Sequence, residues 1–152
     1  MRVHPVALAA AIIVLATQAS AAPQSTPVPA GRVKVASGAA FIVRGTAVLP
    51  AEVGLAVFES DRVRTGSDGR LGITLKDDTR FSLGPASEVH LSRFAYAPAE
   101  GHLQLALNVV RGMAAYVSGR IAKLAPDAVR LETPGAIVGV RGTTIAISAS
   151  AR

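Results

Sequence analysis

The chain is 152 residues long, with 16 Lys and Arg against 10 Asp and Glu, a formal charge of +6. It has no cysteine and no tryptophan; aromatic residues make up 4% and hydrophobic residues 50%. Disulfide frameworks, thiolate metal sites and cysteine nucleophiles are thereby excluded, an apolar chain with few charges is not intrinsically disordered, and scarce rings weigh against stacked sugar or single-stranded nucleic-acid sites.

Arg2 and His4 precede an unbroken apolar run, Val6 to Ala16, which Ala19-Ser20-Ala21 closes as a small-x-small site. This order is that of a secretory signal peptide over residues 1–21, cleaved after Ala21, with Ala22 as the competing site. The run is too short to cross a bilayer as a helix, which needs about 20 apolar residues. The expectation is a mature protein that is periplasmic or secreted and has no transmembrane segment. Residues 22–30 (APQSTPVPA) hold three prolines and read as an extended linker.

From Gly31 the pattern has period two, the mark of half-buried strands. Val33 and Val35 alternate with Arg32 and Lys34; Phe41 and Val43 follow, then Val48-Leu49-Pro50. Leu71, Ile73 and Leu75, then Phe81 and Leu83, then Val89 and Leu91 alternate with polar residues. Between them lie Ser67-Asp68-Gly69, Lys76-Asp77-Asp78-Thr79 and Gly84-Pro85-Ala86-Ser87, all turn chemistry. Asp68-Gly69 favours a tight hairpin. A ten-residue spacing links Asp68, Asp78 and Glu88, and also Leu71, Phe81 and Leu91, as successive strands of a meander or a solenoid-like stack produce.

Farther on, Leu103, Leu105, Leu107 and Val109 share a face, Arg111-Gly112 reads as a turn, and Met113, Ala115 and Val117 alternate with Ala114 and Tyr116. Arg120 to Ala125 is the one helical candidate after the leader. Val129, Leu131 and Thr133 form a strand before the Pro134-Gly135 turn, and Ala136 to Val140 and Thr143 to Ser148 close the chain. The fold class is all-β, with many short strands over residues 31–150 in a sandwich or β-solenoid-like roll.

Asp61-Arg62-Val63-Arg64-Thr65-Gly66, the Asp77-Asp78-Thr79 turn, Phe81 to Ser87 and the closing Thr133-Pro134-Gly135-Ala136-Ile137-Val138-Gly139-Val140-Arg141-Gly142-Thr143-Thr144 resemble the FecR domain. The resemblance spans roughly Gly31 to Ser148. It implies an exported β-rich domain; in the best-known members that domain belongs to the periplasmic arm of an envelope signalling protein, which contacts an iron-siderophore transporter and relays its state to a sigma factor. The expectation from the sequence is that the cytoplasmic sigma-binding segment, the membrane helix and the further secretin-like subdomain of those sensors are not part of this chain. The expectation is that any relay needs a separate membrane regulator. Ser60 and Asp78 stand where the family usually has glycine, and Asp tolerates left-handed backbone.

Catalytic chemistry finds little support; an envelope enzyme acting on glycan, a further alternative, needs acids converging in a cleft, and their spacing here offers none. After the leader only His90 and His102 remain, and no nucleophile elbow is present. Asp68, Asp77, Asp78 and Glu88 lack the spaced loop of a calcium site, so no metal and no cofactor is expected. Arg62 and Arg64, with Arg70, Lys76 and Arg80, form the candidate partner-binding basic face. Export and the lack of interleaved aromatic rings direct it to an envelope protein or an anionic envelope polymer rather than nucleic acid; the alternative is a face that serves solubility alone. Asp61, Thr65, Gly66, Pro134, Gly139, Arg141, Gly142 and Thr143 read as structural parts of the family motif. Gly139 and Gly142 permit tight bends or close backbone approach, and Arg141 between them is suited to lock the last strand to a carboxylate such as Asp61. Arg141→Ala is therefore expected to lower the melting temperature; an unchanged melting temperature would show that Arg141 serves a ligand instead.

Overall fold

The computed structural model describes residues 24–140 and 144–150. The leader, its cleavage site and Arg141, Gly142 and Thr143 lie outside the described residues. The first strand is β1 (Gly31–Ser37), followed by β2 (Ala40–Arg44), β3 (Ala47–Pro50), β4 (Ala56–Val57), β5 (Arg62–Thr65) and β6 (Arg70–Leu75). Then come β7 (Arg80–Leu83), β8 (Glu88–Ala97), β9 (His102–Val117), a helix α1 (Arg120–Leu124), β10 (Val129–Thr133), β11 (Ala136–Gly139) and β12 (Thr144–Ala149). The fold is all-β, a curled, mainly antiparallel sheet in the form of a half-barrel.

Strand β9 joins the two halves of that sheet. Its first part pairs β8 on one edge and, in parallel, β10 on the other; its last part pairs β7 and β12. One half therefore runs β4-β1-β6-β7-β9-β12, called layer I below. The other runs β3-β2-β5-β8-β9-β10-β11, called layer II. Inward side chains of both layers meet in one core, with Val33, Ile73, Phe81 and Tyr116 from layer I and Ile42, Val63, Leu91, Leu107 and Leu131 from layer II. A sheet with one apolar face hides it by curling round itself in this way.

The chain crosses between layers again and again, and this corrects two local expectations. Asp68-Gly69 does not close a hairpin: β5 pairs β2 and β8, whereas β6 pairs β1 and β7. The ten-residue spacing holds, but only β6 and β7 are hairpin partners; β8 belongs to the other layer. Arg111-Gly112 is likewise no turn but a bulge inside one 16-residue strand. Before it Leu105, Leu107 and Val109 are buried; after it Ala114 and Tyr116 are buried and Met113 is exposed. Gly112 has φ 79, and the register against β8 shifts beside it. One inserted residue exchanges the faces of a strand. A second bulge, between Val33 and Val35, turns Val35 outward.

The crossings meet at one corner. Thr65 Oγ1 donates to the Gly84 carbonyl at 2.7 Å and accepts from the Ser87 amide at 3.0 Å. Ser87 Oγ donates to the Pro85 carbonyl at 2.9 Å and accepts from the Met113 amide at 2.9 Å. The Gly66 amide bonds the Ala39 carbonyl at 2.8 Å, and the Gly66 carbonyl receives the Ala86 amide at 2.8 Å. Glycine is needed where these backbones touch. A Cβ on Gly112 would stand 2.6 Å from Ser87 Cα, and one on Gly69 2.0 Å from the Ala39 carbonyl oxygen.

Asp77 makes the second buried anchor. Its carboxylate accepts the Thr79 hydroxyl at 2.7 Å and the Ile121 amide at 3.3 Å, and its carbonyl accepts the Arg120 amide at 2.6 Å, so the β6–β7 turn holds the start of α1. Beside it Tyr116 is buried, and that burial pushes its phenol pKa up.

Gly112→Ala combines positive φ with a backbone clash and is expected to cost about 3 kcal/mol or more in urea unfolding. Gly45→Ala, with φ 59 but open space around it, is expected to cost only about 1 kcal/mol. Similar losses at both sites would contradict the corner.

Candidate functional site

Alternation on β5 buries Val63 and Thr65 and turns Arg62 and Arg64 outward on layer II. Alternation on β6 and β7 buries Leu71, Ile73, Phe81 and Leu83 and turns Arg70 and Arg80 outward on layer I, with Lys76 in the turn between them. The five basic residues therefore form two groups on different layers rather than one stripe. The sequence reading missed this because it treated β5 to β7 as consecutive neighbours.

The two groups differ electrostatically. On layer II, Glu88 stands opposite Arg64 and Arg111 in the strand register. Its carboxylate lies 3.9 Å from Arg62 and 3.6 Å from Arg111. On layer I, Lys34, Arg70, Lys76 and Arg80 form no ion pair among the described residues. Elsewhere Arg93 faces Glu59 and Arg120 faces Asp78, while Arg32, Arg64, Lys123 and Arg130 form no ion pair among the described residues. Unpaired cations thus lie on both layers, and layer I carries Lys34, Arg70, Lys76 and Arg80 among them.

That face also carries a shallow groove of about 540 Å³, lined by apolar and small side chains of β1, β6, β7, β9 and β12, with Arg70 in its wall. An adjoining depression shares Val35, Gly72, Ser82 and Ala115 with it and adds Lys34 and Arg80. The lining of neither contains an acidic residue.

The motif residues are distributed through the scaffold. Asp61 is 1% exposed, and its partner is Arg44, which the sequence reading did not single out. Arg44 Nε and Nη2 donate to the two carboxylate oxygens at 2.9 and 2.7 Å, and the Phe58 amide donates at 2.9 Å. Arg44 also donates to the Ala56 carbonyl at 2.9 Å and lies over the Phe58 ring, 4.4 Å from its centre. Arg44 is therefore the partner of Asp61 among the described residues; the expected Arg141–Asp61 pairing involves a residue outside them. The bonds and charge of Asp61 hold the Arg44 guanidinium above its usual pKa against partial burial. The only sequence signal was a lone arginine ending the apolar strand Ala40–Val43, just before a glycine.

Thr65 and Gly66 belong to the corner described above. Pro134 occupies the exposed β10–β11 turn, where Thr133 Oγ1 accepts the Ala136 amide at 3.1 Å. Gly139 ends β11, and among the described residues nothing lies within 4 Å of where its Cβ would stand. Ser60 and Asp78, at positions where the family usually has glycine, have φ 72 and 67, so both hold the left-handed backbone that glycine adopts freely.

His90 Nδ1 lies 3.3 Å from Ser92 Oγ on the outer face of β8, and His102 lies 3.6 Å from Glu100. Among the described residues no three His, Asp or Glu side chains come together as metal ligands. Among the same residues no helix is long and apolar enough to cross a membrane.

The sequence profile described as FecR protein matches residues 61–152, more than half of the chain. The chain belongs to the FecR family. FecR domains occur in cell-surface signalling regulators; the family is generally non-enzymatic, works with partner proteins and is typically periplasmic. The match begins at Asp61, yet β1 to β4 precede it and pair directly into the same sheet. No curated protein and no solved structure is significantly similar to the chain.

Removing Arg44 leaves a buried carboxylate without its counter-charge. Arg44→Ala is expected to lower the unfolding free energy by about 3 kcal/mol, measured in urea. Adding Asp61→Asn is expected to restore part of that loss; a double variant weaker than the sum of the singles would contradict the pairing.

Proposed function

We propose that this FecR-family chain is an extracytoplasmic, non-enzymatic domain that binds a protein or an envelope-polymer partner. The signal-peptide layout of residues 1–21 and the usual placement of the family support its location. The observation that carries the binding role is the edge of β12. Thr144–Ala149 pairs only β9 among the described residues and contains neither a charge nor a proline. Folded proteins usually blunt a free edge with Lys, Pro or a covering loop, because its unpaired amides and carbonyls accept another strand. An edge left unprotected in this way suits strand addition by a partner.

A second reading follows from the family's place in cell-surface signalling: the chain acts as an accessory component of iron- or siderophore-type signalling, joined to a separate membrane regulator. The identity of the captured partner separates the two. A photo-reactive residue replacing Ala146 on β12, introduced in intact cells, is expected to capture an envelope protein or polymer. The same residue at Ala99, in the loop between β8 and β9, is expected to capture little. Equal capture from both positions, or none from β12, would contradict the edge as the binding element.

A further inference from the structure

The groove on the outer face of layer I has a definite geometry and charge. Strand register aligns Val35, Gly72, Ser82, Ala115 and Ala146 across five adjacent strands. Four strand spacings make this row about 19 Å long, enough for about six extended residues. Val35, turned outward by its bulge, is 57% exposed, and Met113 is 63% exposed. Arg70 stands in the wall, Lys34 and Arg80 border the adjoining depression, and none of the three has an acidic partner among the described residues. An apolar floor with unpaired cations at its margins complements a ligand that is apolar along its centre and anionic at its sides.

We propose that this groove is a docking site for a partner-protein segment whose apolar side chains are bordered by Asp and Glu. The proposal rests on the binding-domain reading above and names the surface and the chemistry of the partner. The shape favours a protein segment over an acyl chain. A small apolar ligand is held in a pocket that covers most of its surface, whereas this groove is open along its length, as a surface covered by another chain is. Ala146 belongs both to the groove and to β12, so a segment lying in the groove also reaches the free edge.

The test is selection of a displayed random-peptide library on the purified chain, followed by titration of an enriched peptide against variants. Enriched peptides are expected to carry apolar residues flanked by Asp or Glu. The pair Arg70→Glu and Arg80→Glu, and separately the pair Ser82→Glu and Ala146→Glu, are each expected to weaken binding about tenfold or more. Arg62→Gln with Arg64→Gln, on layer II, is expected to change it less than about twofold. Thermal unfolding matching the parent shows that each variant is folded. Enriched peptides without acidic residues overturn the proposal, as does binding that survives both groove pairs; in the second case the binding-domain reading stands with its site elsewhere. Displacement of the peptide by phosphatidylglycerol vesicles that bind the groove more tightly overturns it in favour of lipid. Self-association abolished by the same variants overturns it in favour of a second copy. A library that yields no binder to any face overturns both the groove and the binding-domain reading.

Discussion

The fold depends on the exchange of faces at Gly112. The twelve strands among the described residues share one apolar face and cannot remain an open sheet in water, because that face would stay wet. Strand β9 is long enough to serve both layers, but only if its inward side changes part-way along. Positive φ at Gly112 makes the change, and Ser87 fills the space that a side chain would otherwise occupy. Thr65 and Ser87 then satisfy backbone groups of the β7–β8 connection and of β9 at the same corner. Those groups would each cost free energy if left buried and unpaired, so the corner closes the core and specifies the curl together.

Strand placement was largely legible in the sequence, and strand pairing was not. Leu71, Ile73 and Leu75 announce a half-buried strand by alternation alone, and the structure buries all three. Alternation carries no information about which strand lies alongside, so Asp68-Gly69 looked like a hairpin when it is a crossing. Gly112 was misread for a related reason: a glycine after an arginine suits a turn as well as a bulge, and only the change from odd to even buried positions distinguishes them. Val35 followed the pattern of Val33 until a bulge reversed it. Family resemblance located Asp61, but nothing local named Arg44 as its partner, because a contact between separate strands leaves no trace in spacing.

The same limit governed the candidate surface. Arg62, Arg64, Arg70, Lys76 and Arg80 are close in sequence, and period-two logic groups them on one side. The curl divides them, and the division gives each group a different character. Glu88 tempers the layer II group, while on layer I Arg70 and Arg80 border an apolar groove and its adjoining depression, whose linings hold no carboxylate. Charges that lack partners within a fold are available to an outside surface, and their number matters less than what lies between them. Net charge alone, high as it is for this chain, would have pointed to any polyanion.

The central claim is that both layers form one cooperative unit joined through β9. Native-state hydrogen exchange on the purified chain tests it most directly, because amides that open only by global unfolding report one common free energy. The account predicts that the amides of Leu105, Leu107 and Val109 in layer II and of Ala114 and Tyr116 in layer I exchange with the same highest protection and the same denaturant dependence. Separate opening of the two parts of β9, with Ala114 and Tyr116 exchanging at a clearly lower free energy, would contradict it.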